Sequence, residues 1–205
     1  MVKSVAGLGQ PETLYKSPKP TVCGVWSRDG KWLFCSELET GANNPVYTNF
    51  ALAIGGGGKR VPVTPPPFGG SIRAASPDAN FVAYYSTESG QQELYVRTFS
   101  PDSPTAGGKW QISNGLSRLF LGATWRADGK EILYVDTKNQ MVAVPVQASG
   151  TSFQAGAPVP LFEVKGPIEV RADGQRFLAT ITTGERESPA ENIVINWMAT
   201  LPGRR

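Results

Sequence analysis

Carboxylates are the residues through which this chain could do chemistry, because its sequence contains no histidine. Without imidazole there is no Ser-His or Cys-His nucleophile pair, no His-ligated zinc and no imidazole base. Two cysteines, Cys23 and Cys35, are too few for a thiolate zinc site. The candidate acids fall in loops: Glu37 and Glu39, Glu88, Asp136, and Glu185 and Glu187. Gathered on one face, they could hold a hard cation such as calcium, which would polarise an ester or phosphoester. The plainer reading is solvated loop charge, since acids in exposed loops are common.

Two glycine-bearing stretches imitate motifs without completing them. Gly55-Gly56-Gly57-Gly58-Lys59-Arg60 has Arg60 where a phosphate loop needs Ser or Thr to hold magnesium. The following Val61-Pro62-Val63 reads as a strand where that loop needs a helix, so the run reads as a flexible hairpin. Gly115-Leu116-Ser117-Arg118-Leu119 lacks the second Gly of a nucleophile elbow and reads as a connection.

The elements that would position the acids come from a repeat. Asp29-Gly30-Lys31, Asp78-Ala79-Asn80, Asp128-Gly129-Lys130 and Asp173-Gly174-Gln175 are spaced by 49, 50 and 45 residues. Each is followed by a short apolar, β-rich run, such as Phe81-Val82-Ala83-Tyr84 or Ile132-Leu133-Tyr134-Val135. Within 71–114, further runs at Glu93–Arg97 and Lys109–Ile112 complete four short strands, with apolar Leu94 and Val96 alternating with Glu93, Tyr95 and Arg97. Four antiparallel strands in about 45 residues is the unit of a β-propeller blade. The expected fold is all-β, a propeller of four blade repeats. Residues 1–18 would be a closing outer strand, 19–66, 67–116, 117–164 and 165–199 the blades, and 200–205 a tail. Blade cores are expected from Leu33, Phe81, Val82, Ile132, Leu133, Phe177 and Leu178. Trp26 and Trp125, each three residues before its Asp, are expected to pack between blades. Each turn Asp is expected to accept backbone N–H groups.

The last repeat stops one strand short, and the first residues look like an outer strand without a blade. The stretch around Glu12-Thr13-Leu14-Tyr15 is therefore expected to pair with Ile193-Val194-Ile195. That pairing would close a four-bladed ring within one chain. Between two chains it would make each a half-ring of an eight-bladed homodimer by strand exchange. The chain is also compatible with a piece of a longer array.

Composition limits the partners. A net charge of +3 with scattered Lys and Arg gives no sign of nucleic acid. No apolar run approaches a membrane span, and the first residues lack the longer apolar core of a signal peptide. The cysteines flank the first turn on adjacent strands, directly opposite or one residue out of register. They are expected to be buried free thiols, with no disulfide framework.

Ser76-Pro77-Asp78, Gln92–Arg97, Gly108–Ser113, Met141–Val146 and Asn196-Trp197 resemble TolB-type propellers, notably those ending bacterial serine/threonine protein kinases. The resemblance covers residues 9–198, although no kinase domain precedes them and the repeats are fewer than usual. It implies a binding scaffold and a bacterial extracytoplasmic sensor region, with no catalytic residues to carry over. The expected role is an interaction or ligand-sensing module for a protein, peptide or small ligand; the alternative is a metal-assisted hydrolase of activated esters, lactones or phosphoesters. No cofactor is expected beyond the option of calcium or another divalent cation. The loops between second and third strands differ most among the repeats, so the site is expected there, bordered by Glu37, Asn44, Glu88, Arg118 and Asp136.

Overall fold

A computed structural model describes residues 13–39, 46–64, 70–104, 106–117, 122–171, 173–180 and 191–195. All of its regular elements are strands, in four antiparallel sheets. Blade 1 is β1 (Thr21–Trp26), β2 (Trp32–Glu39), β3 (Val46–Ala53) and β4 (Arg60–Pro62). Blade 2 is β5 (Ile72–Ala75), β6 (Phe81–Ser86), β7 (Glu93–Thr98) and β8 (Lys109–Gln111). Blade 3 holds β9 (Ala123–Trp125), β10 (Glu131–Val135), β11 (Gln140–Ser149), β12 (Ser152–Ala155) and β13 (Val159–Glu163). Blade 4 is β14 (Ile168–Val170), β15 (Arg176–Thr180) and β16 (Glu191–Ile195).

The repeated turn is built alike four times. The residue after each Asp has a positive φ: Gly30, Ala79, Gly129 and Gly174, at 72°, 57°, 77° and 69°. Each Asp carboxylate accepts the backbone N–H two residues on, from Lys31, Asn80, Lys130 and Gln175. Two residues before the Asp the chemistry divides. Ser27 and Ser76 donate a hydroxyl to the Asp and accept an N–H from the next strand. Arg126 and Arg171 supply a guanidinium instead.

Strand alternation dictates how blades stack. Four residues after the turn Asp, Val82, Ile132 and Phe177 pack toward the preceding blade. One residue on, Phe34, Ala83 and Leu133 pack toward the following blade. Each inner blade is thus apolar on both faces, so every residue of β7 is buried, including the expected polar alternates Glu93, Tyr95 and Arg97. The seam of blades 2 and 3 is aromatic, with Phe81, Trp110, Trp125 and Phe153 at ring separations of 5.0–6.3 Å.

The two ends of this stack correct two expectations. Trp26 is 47% exposed and Leu178 is 41% exposed, whereas both were expected in packing roles. Trp26 pairs across the ladder with Leu33 and so shares the face that looks away from blade 2. Leu178 occupies the forward-pointing position of the last blade. Neither has a neighbouring blade to pack on among the described residues. Trp125, at the same repeat position as Trp26, is buried because blade 2 covers it.

The cysteine expectation is also corrected. Cys23 and Cys35 stand directly opposite in the ladder and form a disulfide, with a Cα–Cα distance of 4.1 Å. A register shift between Cys23 and Val25 follows at once. Direct opposition brings the Cβ atoms within bridging distance, whereas a slip of one residue would have put them on opposite faces.

The described part of the expected closing strand, Thr13–Tyr15, forms no strand. Leu14 and Tyr15 pack on the outer face of blade 1, against the cluster of Leu33, Cys35, Phe50 and Leu52. Among the described residues β16 pairs only with β15. Glu12 and Asn196-Trp197 lie outside the described residues.

Candidate functional site

At the loop end of the blades, the expected site residues are held in local structure. Glu37 is buried, and one oxygen meets Tyr15 Oη at 3.3 Å, Ser17 Oγ at 2.7 Å and Arg60 Nη1 at 3.4 Å. Arg60, the residue that breaks the phosphate-loop pattern, also lies 3.8 Å over the Phe50 ring, a cation–π contact. The glycines before it form the turn from β3 to β4, with positive φ at Gly55, Gly57 and Gly58. Asp136 folds back on its own turn, accepting N–H groups from Lys138 and Gln140, each at 2.8 Å.

Glu88 differs from these. Its Oε2 accepts a 2.6 Å bond from the Lys109 ammonium, while its Oε1 is buried and has no partner. Asn49, on blade 1, likewise uses its amide N–H to reach Gly70 O at 2.7 Å and leaves a buried Oδ1 unpaired. Burial, with the Glu88 charge second, pushes the Tyr84 hydroxyl well above its ordinary range. No contact joins Glu37, Glu88 and Asp136 to one another, and each serves its own blade. Asn44 and Arg118 lie outside the described residues, as do Glu185 and Glu187. No cluster of three or more metal-ligating side chains occurs among the described residues.

A fully buried acid escaped the sequence reading. Glu93 is 0% exposed, and its Oε2 accepts from Ser113 Oγ and from Gly115 N at 2.7 Å, while Oε1 accepts from Gln91 Nε2 at 2.7 Å. This carboxylate clamps β7 to the connection leading into blade 3. The spacing of Glu93 and Ser113 across a strand pair was the available signal, but a Glu beginning a strand also fits a solvated edge.

The opposite, turn end carries a hollow between blades 2 and 3. A cleft of about 960 Å³ is lined by the blade 2 turn (Ser76–Asp78), the blade 3 turn and its flanks (Trp125–Glu131), and the hairpin of β11 and β12. Beneath it, Arg126 bonds Asp128 through Nε at 2.7 Å and Glu131 through Nη1 at 2.7 Å. The Arg126 guanidinium holds the Asp128 carboxyl below its ordinary value. Sequence reading missed the hairpin. Its signal is the long run from Gln140 to Ser149, followed by Gly150 and a second alternating run.

Face-packed antiparallel sheets, each opened by the same turn between its first two strands, define the β-propeller class. Among solved structures, the chain is similar to a TolB-type protein from Agrobacterium tumefaciens, at 15% identity over 74% of this chain and 54% of that one, with a TM-score of 0.50. It is similar to the tricorn protease at 13% identity over 87% of this chain and 17% of that one, with a TM-score of 0.50. TolB from Acinetobacter baumannii aligns over 91% of this chain and 54% of its own, at 16% identity and a TM-score of 0.49. The chain spans about half the length of these TolB structures. The likeness is one of fold, that of a TolB-type propeller. No protein-family model and no curated protein matches the chain.

Proposed function

We propose that this chain is a non-catalytic interaction or ligand-sensing module that takes a protein, peptide or small ligand on its loop face. The observation that carries this reading is the unpartnered, buried Glu88 Oε1. A buried acceptor left unsatisfied costs roughly 1–3 kcal/mol, so a ligand donor or cation arriving there recovers that energy. Lys109 holds the other oxygen and so fixes the carboxylate's aim. The orphaned Asn49 Oδ1 offers a second acceptor on the neighbouring blade.

The test titrates calcium and a panel of small amide and hydroxyl ligands against the unaltered chain and against Glu88→Ala. Selective loss of binding with an unchanged melting temperature supports the reading. Equal binding by both proteins removes it. Chelator-sensitive turnover of chromogenic esters, lactones or phosphotriesters would instead favour a metal-assisted hydrolase.

The Cys23–Cys35 bridge supports an extracytoplasmic site of action, because such bonds persist in oxidising compartments. Exposure of Trp26 and Leu178 at opposite ends of the stack supports completion of the ring by further blades. A second copy joined by strand exchange would supply them.

A further inference from the structure

We infer that the turn-end cleft between blades 2 and 3 receives an extended peptide segment of another protein, which adds as a strand to the open edge of β11. This site lies at the other end of the strands from the loop-face site and does not depend on it.

The β11 strand outruns its neighbour. β10 pairs with it only from Met141 to Pro145, and the chain then turns away at Lys130. From Val146 to Ser149 one side of β11 is held by β12. Hydrogen-bond parity shows which groups face the other side. Gly156 N donates to Pro145 O at 2.8 Å, so Pro145, Gln147 and Ser149 direct their backbone groups toward β12. Val146 and Ala148 direct theirs away. Val146 N accordingly donates outward, to Lys130 O at 2.8 Å. Beyond it, Ala148 presents its N–H and C=O where β10 would have continued, and no described strand lies there.

The cleft opens beside this edge, since both Lys130 and the segment Pro145–Ser149 line it. Its volume of about 960 Å³ falls within the ~300–1,000 Å³ of ligand sites. The edge is rigid, because Phe153 of β12 is buried among Phe81, Trp110 and Trp125 and pins the hairpin to the seam. An exposed, well-anchored strand edge is the template on which peptides add by backbone pairing. Arg126 and Lys130 offset two of the three carboxylates Asp78, Asp128 and Glu131, so the cleft is left slightly acidic and suits a segment without acidic side chains.

The test selects binders from a displayed library of random uncharged peptides of about eight residues, the length of an added strand. The strongest binder is then resynthesised with single backbone N-methyl groups along its length. Methylation at alternate residues is expected to weaken binding about tenfold, with little effect between them, because only every second N–H of an added strand faces β11. Hydrogen exchange on the unaltered chain is expected to slow in residues 145–150 when the peptide binds, and not in 86–92 or 136–140. Ala148→Pro should weaken binding to a similar degree; if that variant melts early, the exchange map on the unaltered chain decides. Glu88→Ala should bind the peptide normally, which separates this site from the loop-face site. A methylation scan without a period of two, protection outside 145–150, or a library that yields no binder would overturn the proposal.

Discussion

Within the four repeated Asp turns, Ala79 takes a glycine's backbone conformation with a side chain, at φ 57°. A left-handed conformation costs an L-residue roughly 1–2 kcal/mol, partly offset by the extra freedom glycine has when unfolded. Ala79→Gly is therefore expected to stabilise the fold by about 0.5–1 kcal/mol, read as a higher melting temperature. Asp128 gives a pH-dependent counterpart. Its folded pKa is lowered, first by the Arg126 hydrogen bonds, so the stability it contributes is present above the ordinary carboxylate value near ~4 and is lost as pH falls through the folded value. Asp128→Asn should melt below the unaltered protein at neutral pH, and the gap should close on acidification below about pH 4. The carboxylate is partly exposed, so the gap will be small. A gap that persists unchanged into acid would show that Asp128 acts through its turn geometry alone.

Single strands and turns explain what could be read from the residues and what could not. The Asp turns were legible because their chemistry is local: a carboxylate, an N–H two residues on and a position with positive φ. Val82, Ile132 and Phe177 were legible as core because their strands are apolar whichever face is buried. Trp26 and Leu178 were misread because exposure there depends on which blade lies next door, and no local pattern carries that. The disulfide hinged on a one-residue register that composition leaves open. Glu88 and Asp136 were legible as loop residues, whereas Glu37 and Glu39, expected in a loop, lie within β2 and pair with β3. Whether a carboxylate caps its own turn, as Asp136 does, or keeps a free oxygen, as Glu88 does, is a matter of tertiary geometry. The β11–β12 hairpin yields a test at this scale. Phe153→Ala removes a ring packed on three other aromatics and should cost about 3 kcal/mol. A loss below ~1 kcal/mol would mean that the hairpin is not pinned by this residue.

For the whole molecule, stacking alternation makes each blade a two-sided part whose stability is shared with its neighbours. The outermost faces are then the weak points, and Leu178 and Trp26 mark them. If a second copy completes the ring, sedimentation at micromolar concentration should give a dimer, and Leu178→Asp should shift it to monomer. A strict monomer from the unaltered chain would exclude completion by a second copy. The innermost strand of blade 1 leads to a different consequence. β1 is mostly exposed, with Val22 at 68%, and buries little that would hold it in place. The bond between Cys23 and Cys35 closes a short loop across it, and such closures are typically worth about 3 kcal/mol. Reduction should therefore leave most of the stack folded while β1 frays, so that trypsin cuts early at Arg28 in dithiothreitol and late without it. Uniform digestion in both conditions would refute this. The bridge then ties the first strand's survival to thiol chemistry: proteases would trim that strand wherever the bond is reduced, and would spare it wherever the bond stays oxidised.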